Sequence, residues 1–207
     1  MGTTLLPLVI LVHLGGYTLY VWGMVQDRIT PNTTTWSLLL LIVVLDFPTY
    51  FQGIEADAFI KSFLPLVDCL GVIVVWILAF TRGKFERPDR WDFMVASCQA
   101  LTLAIWKIAG AMDANLMLQV ATAIAFVPII RGVYAWKEVE KPIPWMMWSF
   151  SYGLQIVIVY THPHGWKEFV YPIVCLVLHF AVGVFSLRVR PSKGGRHNER
   201  IRSGLVS

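Results

Sequence analysis

The feature that most constrains this chain is a series of seven apolar stretches, each about 17 to 23 residues long, separated by short polar connections. An α-helix rises about 1.5 Å per residue, so some 20 residues cross the roughly 30 Å hydrocarbon core of a bilayer. The stretches cover 4–25, 34–51, 58–80, 93–109, 115–136, 145–161 and 167–187. Between them lie connections of about 5 to 12 residues, the length expected of packed helices. The prediction is an all-α polytopic membrane protein with seven transmembrane helices over residues 1–187 and a basic cytoplasmic tail over 188–207. Composition agrees: 57% of residues are apolar and only 14% are charged, against about 25% charged in soluble domains. That balance excludes an ordinary soluble domain, and it excludes disorder, which needs low hydrophobicity and high net charge.

Lys and Arg resist translocation, so their distribution orients the chain. Fourteen of the seventeen fall on the side of the first connection, including Arg28, Arg82, Arg131, Lys141 and the tail. Only Lys61, Lys107 and Lys167 fall on the other. The amino terminus is thus expected outside and the carboxyl terminus in the cytoplasm, with the first apolar stretch a retained span. Tryptophan favours the headgroup level, and all nine lie near expected ends. Trp22, Trp36, Trp76, Trp91, Trp136, Trp145 and Trp148 fall at inner ends, and Trp106 and Trp166 at outer ends. Anchoring is the default reading for each. The pI of about 9.1 reflects these loop and tail charges. With no recognition helix or basic-aromatic interleaving, no nucleic-acid partner is expected. The tail is free to touch anionic membrane lipid. Asn32-Thr33-Thr34 spells a glycosylation sequon on the inner side, where it goes unused. Cys69, Cys98 and Cys175 lie in apolar stretches without metal-ligand spacing and read as core residues.

Sliding the chain on itself by 109 positions places Gly23 on Gly132, Trp36 on Trp145 and Asp46 on Gln155. After a two-residue gap, Phe63-Leu64-Pro65 meets Val170-Tyr171-Pro172. These matches propose a 3+1+3 arrangement: repeat one over 4–80, a linker helix over 91–109 and repeat two over 115–187. The linker restores orientation, so the repeats run parallel. Transporters with such symmetry place their sites near mid-depth between the repeats.

The pattern GYxxYxWG at Gly16 to Gly23, then Pro31-Asn32, Thr35-Trp36 and FxxLVD ending at Asp68, resembles a group of small, largely uncharacterised bacterial seven-helix membrane proteins. So do Trp91-Asp92, Trp106, Pro128 with Arg131 and Trp136, Glu140, Trp145 and Tyr171-Pro172, so that the likeness covers about 16–187. The broader architecture is similar to the SWEET and PQ-loop class of small-solute transporters. That resemblance implies residence in a bacterial inner membrane and hinge prolines in the first two helices of each repeat. Pro48 and Pro128 fit the hinge pattern; helices one and six have no central proline, and no Pro-Gln dipeptide occurs. Where the bacterial group has an Asp six residues before the fifth-helix proline, this chain has Thr122.

An ionisable side chain at the bilayer centre costs about 2.5–3.5 kcal/mol on insertion scales, which makes each one a candidate for function. Asp46 in the second stretch and Asp68 in the third both fall near mid-depth, on consecutive helices that are expected to be neighbours. One reading gives them a shared site holding a proton; the other gives each a packing role through hydrogen bonds to adjacent helices. Pro48 withdraws a backbone donor from Val44, which is expected to loosen the helix beside Asp46. Pro65 stands three residues before Asp68 and is expected to loosen its helix in the same way. Tyr50 lies four residues after Asp46 on the same face. His13 and His179 are also near mid-depth, as hydrogen-bonded neutral residues or, on facing helices, as haem ligands. The former is favoured, and no cofactor or metal is expected. His162-Pro163-His164 reads as a solvated turn; Gln99, Gln119 and Gln155 read as interhelical hydrogen-bonders. GxSxG, HExxH, P-loop and GxGxxG are all absent, so no enzyme is expected. The expected function is transport of a small polar solute, with Asp46, Asp68, Tyr50, His13 and His179 near its path. The alternative is an accessory subunit bound to other membrane proteins.

Overall fold

A computed structural model describes residues 2–54, 58–135 and 140–188 as seven helices and their connections. They are α1 (Gly2–Val25), α2 (Thr33–Gly53), α3 (Ala58–Arg82), α4 (Arg90–Ala109), α5 (Ala111–Tyr134), α6 (Pro142–Thr161) and α7 (Lys167–Ser186). Trp136, Lys137 and the tail beyond Arg188 lie outside the described residues. Six helices are long and apolar enough to cross a membrane. The seventh, α6, has the length but carries Ser149, Ser151, Tyr152 and Gln155, all buried. Its polarity is turned inward.

The molecule is apolar outside and polar within. Leu11, Ile77, Phe80, Leu103 and Val177 face outward, while His13, Asp46, Lys61, Asn115, Gln119, Gln155 and Glu168 are buried. Apolar side chains on the surface are favourable only against lipid, and polar groups buried in such a molecule need partners inside it. The chain is an all-α, membrane-embedded protein on these grounds.

Helix ends are set by local chemistry. Asn32 caps α2 by accepting from the Thr34 and Thr35 amides. Asp89 and Asp92 form a reciprocal capping box at α4. The connection before α4 is tied to the start of α2: the Thr33 amide donates to the Lys84 carbonyl at 2.8 Å, and Thr34 Oγ1 to the Glu86 carbonyl at 2.6 Å. Gly110, at φ +102, turns α4 directly into α5.

Packing within 1–3 is matched by packing within 5–7. Helix α3 packs on α1 and on α2, and α7 packs on α5 and on α6. Between the halves, α1 packs on α6 and α2 on α5, which are equivalent pairs under an exchange of the halves. Directions agree: His13 meets Ser151 and Tyr20 meets Trp145, so α1 and α6 are antiparallel. Phe126 meets His179 and Tyr134 meets Phe185, so α5 and α7 are parallel. Helix α4 joins the halves and packs on α5 and more lightly on α2.

Pro48 and Pro128 do not break their helices. Both lie inside uninterrupted α2 and α5. Beside Pro48, Thr49 Oγ1 donates back to Leu45 O at 2.7 Å. Threonine hydroxyls are one of the ways a membrane helix tolerates proline.

Candidate functional site

The interior polar residues surround a cavity between the halves, walled by α1, α2, α3, α5, α6 and α7. The cavity volume, taken over the centres of water-sized bodies, is about 50 Å³. A buried water needs about 10–15 Å³ by that measure, so the cavity suits a few waters or a ligand of a few heavy atoms.

Asp46 and Asp68 both line it. Asp68, on α3, is fully engaged. Tyr17 donates to Oδ1 in a short hydrogen bond, His13 Nε2 lies 3.1 Å from the same oxygen, and Tyr152 donates to Oδ2 at 3.1 Å. His13 also reaches Ser151 Oγ through Nδ1 at 2.7 Å, so it ties α3 to α6 from behind the carboxylate and does not line the cavity. Asp46, on α2, is half engaged. Asn115 and Gln119, one turn apart on α5, donate to Oδ1 at 2.9 and 2.8 Å. No described residue donates to Oδ2. The carboxylates are not hydrogen-bonded to one another, and each has its own donor set.

Of the other expected site residues, His179 lines the cavity, with Nδ1 2.7 Å from the Cys175 carbonyl. A carbonyl only accepts, so Nδ1 carries a proton, and no described residue hydrogen-bonds Nε2. His13 and His179 share no ligand axis, since His13 spends both nitrogens on Asp68 and Ser151. Tyr50 is buried on the Asp46 face of α2, but its hydroxyl donates to the Glu168 carbonyl of α7 at 2.8 Å and its ring packs on Tyr171. It stands behind the wall. Among the described residues no group of three or more His, Cys, Asp or Glu is placed to hold a metal.

Aromatic rings make nearly half of the wall, and three of the expected anchors are among them. Trp36, Trp145 and Trp148 are buried and line the cavity, whereas Trp22 and Trp166 are exposed. The correction has a physical cause. Trp145, Trp148 and Tyr152 share one face of α6, opposite Tyr17 and Tyr20 of α1, and that face is held in by ring-on-ring contacts of 4.8 to 6.2 Å. Glycine permits the approach: a Cβ at Gly16 would lie 2.6 Å from Trp148 Nε1, and one at Gly71 would overlap the Tyr17 ring.

Each end of the cavity is closed. At the end where α2 and α6 begin, Trp36 and Trp145 separate the cavity from a small recess that also touches Asn32 and Glu140. Glu140 accepts from Trp145 Nε1 at 2.9 Å and from Tyr20 Oη at 3.0 Å. Toward the other end, Lys61 of α3 and Glu168 of α7 form an ion pair at 2.9 Å, with exposures of 0% and 4%. Lys61 was expected as a loop charge, and its burial corrects that reading. Its neighbours complete the closure, with Gln155 Nε2 donating to the Lys61 carbonyl at 2.6 Å. The expected repeat relates these closing residues: Trp36 to Trp145 by 109 positions, and Lys61 to Glu168 by 107, the same offset as Pro65 to Pro172.

Sequence reasoning missed Asn115 and the role of Gln119. The signal was their spacing: residues four apart on one helix face, both amides, in a span otherwise apolar. Compared with protein-family models, with curated proteins and with solved structures, the chain finds no match in any of the three.

Proposed function

We propose that the protein is a multi-pass membrane transporter or permease for a small polar solute, which it holds between two three-helix halves. The observation that carries this reading is the mid-bundle cavity with half-engaged Asp46 on its wall. A purely structural interior has little reason to turn a carboxylate oxygen toward a cavity with no donor among the described residues, because a poorly paired interior carboxylate is costly. The equivalent closing pairs at the two ends suit alternating access: opening Lys61–Glu168 exposes the cavity on one side, and parting Trp36 from Trp145 exposes it on the other. The same reading places the chain with the small bacterial seven-helix proteins and their SWEET and PQ-loop-like architecture. It sits in the inner membrane with the Lys61 end outward and the carboxyl terminus in the cytoplasm.

The test is uptake by proteoliposomes across a panel of small polar solutes, with Asp46→Asn as the comparison. Saturable uptake lost in the variant supports the proposal; no uptake of any panel member by well-folded protein overturns it. Cys175 on the cavity wall adds an independent readout. With Cys69 and Cys98 replaced by Ala, a water-soluble thiol reagent should modify Cys175 slowly, and a bound solute should protect it. The accessory-subunit alternative makes opposite demands: a stoichiometric complex on gentle extraction, and unchanged assembly in Asp46→Asn. Recovery of a stable monomer or homodimer counts against it.

A further inference from the structure

The cavity's chemistry goes further than a polar solute. Its hydrogen-bonding capacity is weighted toward acceptance. The Tyr17 and Tyr152 hydroxyls spend their protons on Asp68, and the Asn115 and Gln119 amides spend theirs on Asp46 and on neighbouring oxygens. Asp46 Oδ2 has no donor among the described residues and Gln119 Oε1 is buried and unpaired, on cavity-lining residues each 3% exposed. The Trp148 indole N–H and the Tyr171 hydroxyl, which can donate or accept, are the groups with a donor proton left buried and unpaired on this wall among the described residues. No Lys or Arg lines the cavity. The remaining wall presents π faces, foremost Trp36, Phe126, Trp145 and Trp148.

We infer that the ligand is a small nitrogen cation bearing N–H donors, of the ammonium or guanidinium class, bound with its donors on Asp46 Oδ2 and Gln119 Oε1 and its charge against the indole and phenyl faces. The free acceptors and the aromatic rings select for it. A cation over an aromatic face is attracted by the ring quadrupole, and most strongly where water is excluded. An N–H donor satisfies the two free acceptors, which an anion or a bare acceptor would repel. Neutral polar molecules satisfy the hydrogen bonds but gain nothing from the carboxylate or the rings. Alkali cations prefer a cage of oxygens, and this wall offers few oxygens among many rings. The tight space favours a ligand of a few heavy atoms.

This inference takes its location from the transport reading, and its test separates the two. Guanidinium, urea and nitrate are planar, of similar size, and positive, neutral and negative. Millimolar titrations of the purified full chain in detergent micelles, followed by tryptophan fluorescence and calorimetry, should give saturable binding of guanidinium and of methylammonium. Urea, nitrate and potassium should bind at least about tenfold more weakly. Asp46→Asn, which keeps the side-chain shape, should weaken guanidinium by about tenfold or more. Should that variant fold poorly, Phe126→Leu, which keeps apolar volume but removes a π face, should weaken it by about threefold. Equal binding of urea and guanidinium, preference for nitrate or potassium, or no binding at all overturns the inference. Radiolabelled uptake into proteoliposomes then distinguishes the failures. Guanidinium binding without uptake leaves the ligand class standing and removes transport. Uptake of urea as fast as guanidinium keeps transport and removes the ligand class.

Discussion

Asp46 and Asp68 are carboxylates on neighbouring helices of one cavity, yet they are held in different ways. Asp68 has donors on both oxygens, from Tyr17, His13 and Tyr152 on α1 and α6. Asp46 has two amide donors from α5 on one oxygen and none on the other. Depth in the membrane therefore does not distinguish a structural carboxylate from one available to a ligand; the saturation of its lone pairs does. The repeat sharpens the contrast. The positions matching Asp46 and Asp68 in the second half are Gln155 and Cys175, so both carboxylates come from the first half, and the cavity is lopsided in charge although its helix packing is matched.

The largest effect expected from this difference is on stability. Asp68→Ala leaves three buried donors without their acceptor, each costing about 1–3 kcal/mol when unsatisfied. A loss of about 4 kcal/mol is expected in unfolding experiments in detergent. Asp46→Asn should cost about 1 kcal/mol or less, because the new amide oxygen still accepts from Asn115 and Gln119. Equal losses for the two would break the comparison.

Next comes the Lys61–Glu168 pair. Removing one partner strands a buried charge, which costs about 3–5 kcal/mol in a sealed interior. Lys61 and Glu168 lie in the first turns of α3 and α7, where relaxation toward the surface is short, so about 2–3 kcal/mol is expected for Lys61→Met or Glu168→Gln alone. The double replacement Lys61→Met with Glu168→Leu should recover most of the loss. A double variant as unstable as the worse single one would show that the pair does not act as a unit.

How far these features could be read from the sequence varied with their physical origin. The helices fall within a few residues of expectation because hydropathy and length are local properties. Asp46, Asp68 and His179 reach the cavity because scarce polar groups in apolar helices must turn inward. The aromatic wall was misread: Trp36, Trp145 and Trp148 sit near helix ends, where interfacial anchoring is the common fate, and only the shared face of Trp145, Trp148 and Tyr152 argued otherwise. Lys61 and Glu168 were hidden by their places beside loops. Their encounter depends on how α3 and α7 approach across the bundle, as the pairing of Asp46 with Asn115 and Gln119 depends on the register of α2 against α5. These are tertiary facts with no local signature.

A smaller expected effect concerns the rings themselves. Gly16→Ala places a methyl against Trp148 Nε1, and overpacking of this kind costs about 1–3 kcal/mol. Because the displaced ring packs on Tyr17 at 4.8 Å, the strain should fall on the Asp68 side of the cavity. The expected signature is a loss of about 1–2 kcal/mol in stability with guanidinium binding through Asp46 changed by less than about threefold.

The smallest effects test the two carboxylates one donor at a time. Tyr152→Phe removes the single donor to Asp68 Oδ2 at 3.1 Å and leaves that oxygen as uncovered as Asp46 Oδ2. Gln119→Leu removes one of two donors to Asp46 Oδ1, and Asn115 remains in place at 2.9 Å. Interhelical hydrogen bonds in membrane proteins are worth about 0.6 kcal/mol on average and up to about 1.7. Tyr152→Phe should lie near the upper figure, because an acceptor that had its only donor now has none. Gln119→Leu should lie near the lower one, because its acceptor keeps a partner and its own unpaired Oε1 is removed with it. The guanidinium affinities should run the other way, little changed by Tyr152→Phe and weakened several-fold by Gln119→Leu, which deletes an acceptor from the ligand's site. A reversal of either order would place the available carboxylate at Asp68.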